Sequence, residues 1–255
     1  MMIGVYFSGT GNSKYCIEKF LQLYDVKSKA FSIEDDELAK HISEHSDIVF
    51  SYPVQYSNVP KILNDFILDN KTLWKDKRVF VIATMGLFSG DGAGVLGRLL
   101  IKYGASVIGG LHLKMPDSIC DEKVLKRSLE KNQKLIFKAE KKIEKSVGRL
   151  KSGKPTRDGL NVLSRIIGLF GQRLYFGGMT KHYSDKLKIN TETCICCKKC
   201  ISLCPMKNIK MEDDLLTASN KCTLCYRCVN NCPAKAISLL GRQVIQQSVI
   251  EGYLK

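Results

Sequence analysis

Apolar and polar positions change period along this chain, and each change marks an element. Met2 to Phe7 is an unbroken β-rich run, MIGVYF, which predicts a buried strand. After a short polar loop, Tyr15, Ile17, Phe20, Leu21 and Tyr24 recur at helical steps. The alternation then repeats. Val26 to Ile33 predicts a second strand, and Glu34 to Ser43 a short helix. Ser46 to Tyr52, stopped by Pro53, predicts a third strand, and Pro60 to Asp69 a helix with proline near its start. Arg78 to Thr84 predicts a fourth strand, Gly94 to Tyr103 a helix and Ala105 to Leu113 a fifth strand. Five strands alternating with helices predict an α/β domain, a parallel sheet covered on both faces.

From Asp121 to Leu150 the period predicts one long helix. Val124, Leu125, Leu129, Ile136, Ile143, Val147 and Leu150 form its stripe, and lysines fill the other faces. Gly153, Pro155 and Gly159 end it, so a domain boundary is expected after residue 152. Leu160 to Phe176 carries a second stripe with Arg165 and Arg173 off it. It reads as part of a basic connector, 153–183, packed on its own protein rather than on a membrane. A small domain, 184–240, follows, and then a tail, 241–255, with a helical pattern to Tyr253.

The small domain holds the chain's densest chemistry. Cys194-x-x-Cys197-x-x-Cys200-x-x-x-Cys204-Pro205 is followed by Cys222-x-x-Cys225-x-x-Cys228-x-x-x-Cys232-Pro233. Structural zinc takes four ligands, usually as two CxxC pairs, whereas here each repeat offers three close thiols and a displaced fourth. Disulfides need an oxidising compartment. The N-terminus begins as a strand with no secretory pattern, so the cytoplasm is expected. The run resembles that of bacterial two-cluster ferredoxins. The resemblance implies an α+β ferredoxin-like domain with two [4Fe–4S] clusters. It also implies cross-ligation: Cys194, Cys197, Cys200 and Cys232 on one cluster, and Cys222, Cys225, Cys228 and Cys204 on the other. Cys16 and Cys120 read as buried small apolar side chains, and Cys196 as a loop residue. Eight cluster cysteines suit an oxygen-poor cell.

The loop after the first strand is Ser8-Gly9-Thr10-Gly11-Asn12-Ser13. Strand, glycine-rich loop and helix present backbone amides and a positive helix end to a phosphate; a simply capped helix uses the same residues. The loop is neither a P-loop nor a GxGxxG turn. It resembles the [ST]-x-T-G-N-[ST] phosphate loop of flavodoxins, at the same place after strand one. That resemblance implies bound FMN, a flavodoxin-like strand order 2-1-3-4-5, and a ligand at the carboxyl ends of the strands. It implies phosphate contacts from Ser8 through Ser13. Ring contacts would come from Pro53, Val54, Gln55, Tyr56 and Ser57 after strand three. Thr84, Met85, Gly86, Leu87, Phe88 and Gly90, at the end of strand four and after it, would supply the others. Tyr56 and Phe88 are the expected aromatic neighbours of the ring, Phe88 standing where many flavodoxins carry Trp or Tyr.

Composition adjusts this picture. The 255 residues are 44% hydrophobic, and no stretch of eighteen apolar residues lacks charge, so no membrane span is expected. The formal charge is +15. Two clusters with their thiolates and a phosphate would bring it to roughly +9. The excess is local: Asp121 to Lys188 holds 18 Lys and Arg against 7 Asp and Glu. No nucleic-acid motif accompanies it, so an acidic redox partner protein is expected instead. His41, His45, His112 and His182 form no acid–base constellation; His112 and Asp117, near the end of strand five, could approach a flavin but read rather as surface residues. Nothing in the chain specifies an oligomeric state. A flavin exchanges two electrons and a cluster one, so the pair implies an electron relay. A reductase of a small acceptor such as a quinone, nitro compound or porphyrin precursor is the second reading. A ferredoxin with a flavin-free docking domain is the third.

Overall fold

The computed structural model describes residues 1–88, 90–168 and 186–254. Strands β1 (Met2–Tyr6), β2 (Ala30–Ser32), β3 (Asp47–Pro53), β4 (Arg78–Met85) and β5 (Ser106–Lys114) form a five-stranded sheet in the order β2-β1-β3-β4-β5. Every neighbouring pair is parallel. Alternate side chains feed two cores. Ile3, Val5, Ile48, Phe50, Val79 and Val81 face one side, with Trp74 buried there. Helices α2 (Leu38–Ser43), α3 (Lys61–Asp69) and α4 (Gly92–Ile101) cover that side. Met2, Val49, Phe80 and Ile82 face the other, under α1 (Asn12–Tyr24) and α5 (Leu129–Lys151). Burial on both faces is why the strands read as continuous apolar runs. The sheet has the flavodoxin-like order.

Two predicted helices are shorter than expected. α5 starts at Leu129, not Asp121, with the Ser128 side chain accepting from the Lys131 amide. The preceding residues are held by tertiary contacts instead. Asp121 accepts from the Tyr226 hydroxyl at 3.4 Å, and Lys126 donates to the carbonyls of Ile119 at 2.7 Å and Gln246 at 3.2 Å. The stripe expected over 160–176 is helical as α6, Val162–Gly168. Phe170, Arg173, Leu174 and His182, like Ser89, lie outside the described residues. In the tail the described helical structure is one 3₁₀ turn, Ile250–Gly252. No helix among the described residues is long and apolar enough to cross a membrane.

The small domain pairs β6 (Leu187–Ile189) with β9 (Ile237–Leu239) and β7 (Ile209–Glu212) with β8 (Leu215–Ala218), both antiparallel. Its two halves repeat at a step of 28 residues, 194 to 222. Left-handed Cys196, Lys198 and Lys207 recur as left-handed Leu224, Tyr226 and Lys235. The short helix Lys199–Leu203 recurs as Arg227–Asn231. Non-glycine residues with positive φ are uncommon, so their recurrence shows that both cysteine loops take one conformation.

Candidate functional site

The two cysteine quartets line two separate cavities. Cys194, Cys197, Cys200 and Cys232 surround one, with Ile189, Leu216 and Ile237. Cys204, Cys222, Cys225 and Cys228 surround the other, with Leu187, Val229 and Leu239. Each cavity thus takes three cysteines from one repeat and the fourth from the other. Among the described residues no three His, Cys, Asp or Glu side chains converge on a single ion; the thiols instead ring a volume.

The donor set fits an iron–sulfur cluster. Backbone amides of Asn208 and Ala236 donate to Sγ of Cys204 and Cys232, each at 3.3 Å, and that of Leu224 donates to Cys222 Sγ at 3.4 Å. Such bonds support thiolate ligands and tune their clusters. Burial pushes the Cys225 thiol up to about 12, so a thiolate there needs the positive charge that cluster iron supplies. Cys16 and Cys120 are buried and line neither cavity, Cys120 lying in the same small-domain core as Cys200 and Cys228, and Cys196 is exposed.

A third pocket, of about 100 Å³, opens at the carboxyl ends of β1, β3 and β4, where doubly wound sheets bind their ligands. Ser8, Gly9, Thr10, Asn12 and Ser13 line one end. The first-turn amides of α1 lack intrahelical acceptors, and Gly11 is its left-handed N-cap. The Ser13 hydroxyl is tied to Thr84 Oγ1 at 2.8 Å, so Thr84 orients the loop. Asn12 donates to the Pro116 carbonyl at 2.7 Å. Ser8 Oγ and Asn12 Oδ1 are buried with no partner among the described residues. A hydroxyl free to donate and an amide oxygen free to accept suit a phosphoester carrying hydroxyl groups, as FMN does.

Pro53, Val54, Gln55, Tyr56, Met85 and Gly86 line the other end. Tyr56 and Ser57 both have positive φ, 47° and 61°, in a turn closed by reciprocal backbone bonds between Gln55 and Asn58. Such a turn ordinarily uses Asn-Gly, and each non-glycine residue in it costs about 1–3 kcal/mol. Ser57 is buried behind the wall. Gly11 packs under Ile250, where any Cβ would overlap its side chain, and Gly90 packs in the same way on the Gly168 backbone. Leu87 and Phe88 line a neighbouring groove and are half exposed, so the structure does not bring Phe88 and Tyr56 across one pocket.

Residues that the strand–loop pattern did not single out complete the wall. Met115 to Ile119, after β5, line it, and Leu224, Cys225 and Tyr226 close it from the small domain. Asp117 is largely buried there, and burial pushes its carboxyl above the usual carboxylate range. Its side chain fills the space a Cβ on Gly86 would need, while Arg127 donates to the Gly86 carbonyl at 3.4 Å. A loop after a fifth strand carries no motif, and a contact between two domains has no signature in local sequence.

The small domain is latched onto the phosphate-loop end. Arg227 donates through both guanidinium nitrogens to Glu34, at 2.6 and 2.9 Å, and to the Ser8 carbonyl at 2.8 Å. Gly9 lies so close to the Cys225 carbonyl that a Cβ would overlap it. Ile250 donates its amide to the Thr10 carbonyl at 2.9 Å.

The fold joins a flavodoxin-like parallel sheet to a small domain built on two ferredoxin-type cysteine repeats. Residues 219–238, within the second repeat, match the family described as 4Fe-4S binding domain. No curated protein sequence matches the chain. Three solved structures are similar over the sheet domain. Two-electron reduced flavodoxin from Megasphaera elsdenii is 19% identical over 58% of this chain and 99% of its own, with TM-score 0.44. Fusobacterium nucleatum flavodoxin bound to flavin mononucleotide is 17% identical over 59% and 97%, with TM-score 0.42. Oxidised flavodoxin 2 from Bacillus cereus is 15% identical over 59% and 97%, with TM-score 0.45.

Proposed function

We propose that this protein relays electrons between two [4Fe–4S] clusters, an FMN in the Ser8–Tyr56 pocket, and an acidic redox partner. One observation carries the reading. Cys225 and Tyr226 belong both to the pocket at the phosphate-type loop and to the cavity of the Cys204, Cys222, Cys225 and Cys228 quartet. A flavin and a cluster in those two spaces would be separated by one stretch of loop. The flavin supplies exchange between two-electron and one-electron carriers. The Ser8 hydroxyl and the α1 amides bind its phosphate, and Asn12 Oδ1 accepts from a hydroxyl of its chain. Asp117, if ionised, disfavours added negative charge beside the ring, and Arg127 counters it.

Charge supports the acidic partner. Leu87 and Phe88 floor a groove beside Met85, which also lines the flavin pocket. Lys114, Arg127, Lys131, Lys134, Lys138 and Lys142 surround that groove. A small anionic acceptor reduced at the flavin is the second reading, and the same groove supports it.

The test is an anaerobic reductive titration with iron, sulfide and FMN counted on one sample. About eight irons and one FMN, equilibrating electrons, is the expected result. Thr10→Ala with Asn12→Ala is expected to lose flavin by about tenfold or more in affinity at unchanged iron content, since the Asn12 oxygen goes together with the Thr10 hydroxyl that accepts from the Asn12 amide. Full iron with no flavin uptake by the native chain would refute the relay.

A further inference from the structure

The two cluster cavities share a loop conformation but not their polar lining. The Cys204, Cys222, Cys225 and Cys228 cavity is lined by Asn208 and Thr223 as well as by its thiols. Both residues are buried, at 1% and 3% exposure. Asn208 Nδ2 and Thr223 Oγ1 are buried donors with no hydrogen-bond partner among the described residues. The amide orientation of Asn208 is fixed, because its Oδ1 accepts from the Lys221 amide at 2.7 Å. Each orphan therefore holds a hydrogen with nothing among the described residues to receive it, at the wall of a cavity ringed by cysteine sulfurs. A buried donor left unmatched is destabilising.

The repeat supplies an internal comparison. Thr223 follows Cys222 as Ile195 follows Cys194, and Asn208 lies four residues after Cys204 as Ala236 does after Cys232. The equivalent positions at the other site are thus an isoleucine, which lines that cavity, and an alanine, which does not; neither side chain can donate. The backbone N–H to sulfur bonds at Cys204 and Cys232 match in length, so beside those two thiols the side chains are what differ; the Leu224 amide adds a bond to Cys222 Sγ at the second site. Solvent access differs in the opposite sense. Cys197 is exposed and Ile195 is 65% exposed at the first site, so water can reach that cluster. Cys225 and Cys228 are buried at the second. Adding an electron to a cluster in a dry cavity is opposed by desolvation of the added charge, whereas hydrogen bonds to its sulfurs favour the reduced form.

We propose that Asn208 Nδ2 and Thr223 Oγ1 donate hydrogen bonds to sulfur atoms of the cluster beside the flavin pocket. These bonds hold its reduction potential above the value its burial would otherwise set. The inference rests on the two-cluster reading above and adds the means by which the buried, flavin-side cluster stays reducible. Both residues tune; neither is a ligand.

The test is an EPR-monitored redox titration of the native protein, Thr223→Val and Thr223→Ser, with iron and sulfide counted in each. Valine keeps the shape and removes the donor; serine keeps the donor. In Thr223→Val one of the two midpoints is expected to fall by about tenfold in the reduction equilibrium, about 59 mV for one electron. The other midpoint stays, and Thr223→Ser keeps both. Unmoved midpoints in a fully loaded Thr223→Val protein would overturn the proposal, as would equal shifts of both or a serine variant that falls as far as valine. If valine prevents loading, Asn208→Ala is titrated instead, with the same outcomes. A native protein with well under eight irons would overturn the two-cluster reading and this inference with it; a loaded protein with unmoved midpoints would overturn the inference alone.

Discussion

His112 stands half-buried beneath the first turn of α4, where its Nε2 accepts from the Ala93 amide at 3.1 Å. Burial, with Lys142 nearby, outweighs the attraction of Asp158 and Asp91 and lowers its pKa to about 4 from 6.5. The sign follows from proton counting. Between about pH 6.5 and 4 the unfolded chain binds the proton and the folded one does not, so stability is full at neutral pH and falls as pH drops through that window. From pH 7 to 5 the loss from this group is about 2 kcal/mol. Unfolding in denaturant, followed by fluorescence of the buried Trp74, measures it. His112→Gln is expected to flatten the pH 7-to-5 loss by about that amount, and an unchanged slope would rule out the buried neutral imidazole. Asp117 is the companion case. In sequence it is an acid after a strand, and in the fold its carboxyl lies largely buried in the pocket wall.

Among the elements, the strands and the cysteine loops were the most legible. A run such as Val79–Ala83 has no polar interruption because both faces of its sheet are buried. The 28-residue repeat is visible in the cysteines and recurs in the backbone as paired left-handed residues. Helix starts were less legible, and α5 is the clear case. The apolar spacing from Val124 continues into it, yet Val124 is 85% exposed, and the segment is spent on contacts to Tyr226 and the tail. The cross-strand sharing of cysteines gives an element-scale prediction. Cys232→Ala should empty the cluster of Cys194, Cys197 and Cys200 and leave the other, halving iron to about four per chain. Iron counting with EPR checks it. Loss confined to the Cys222 cluster would show that each repeat ligates its own cluster.

At the scale of the whole molecule, function depends on two domains held at one distance. Arg227 bridges Glu34, the Ser8 carbonyl and the Leu203 carbonyl, with its guanidinium 6.0 Å over the Phe7 ring. Charge-assisted, bidentate pairs of this kind are the stronger hydrogen bonds. Arg227→Ala is expected to weaken docking by about 2 kcal/mol after allowing for partial exposure of the pair. The readout is hydrogen exchange: amides at 8–13 and 224–231 should exchange about tenfold or more faster, while the core of β3 and β4 stays protected. Equal protection in the variant would remove the latch.

The sequence by itself determined the elements, the parallel sheet, the repeat and the residues that bear thiols and the phosphate-type loop. These follow from local period, from steric needs of tight loops and from ligand chemistry, all of which act between near neighbours in the chain. Only the tertiary structure decided that the pocket's last wall is the second cysteine loop. It also decided that Leu87 and Phe88 line a separate basic groove and that Thr223 and Asn208 face a dry cavity while Ile195 faces water. Those outcomes depend on which distant surfaces meet when the small domain seats on the sheet, and local pattern carries no information about that meeting.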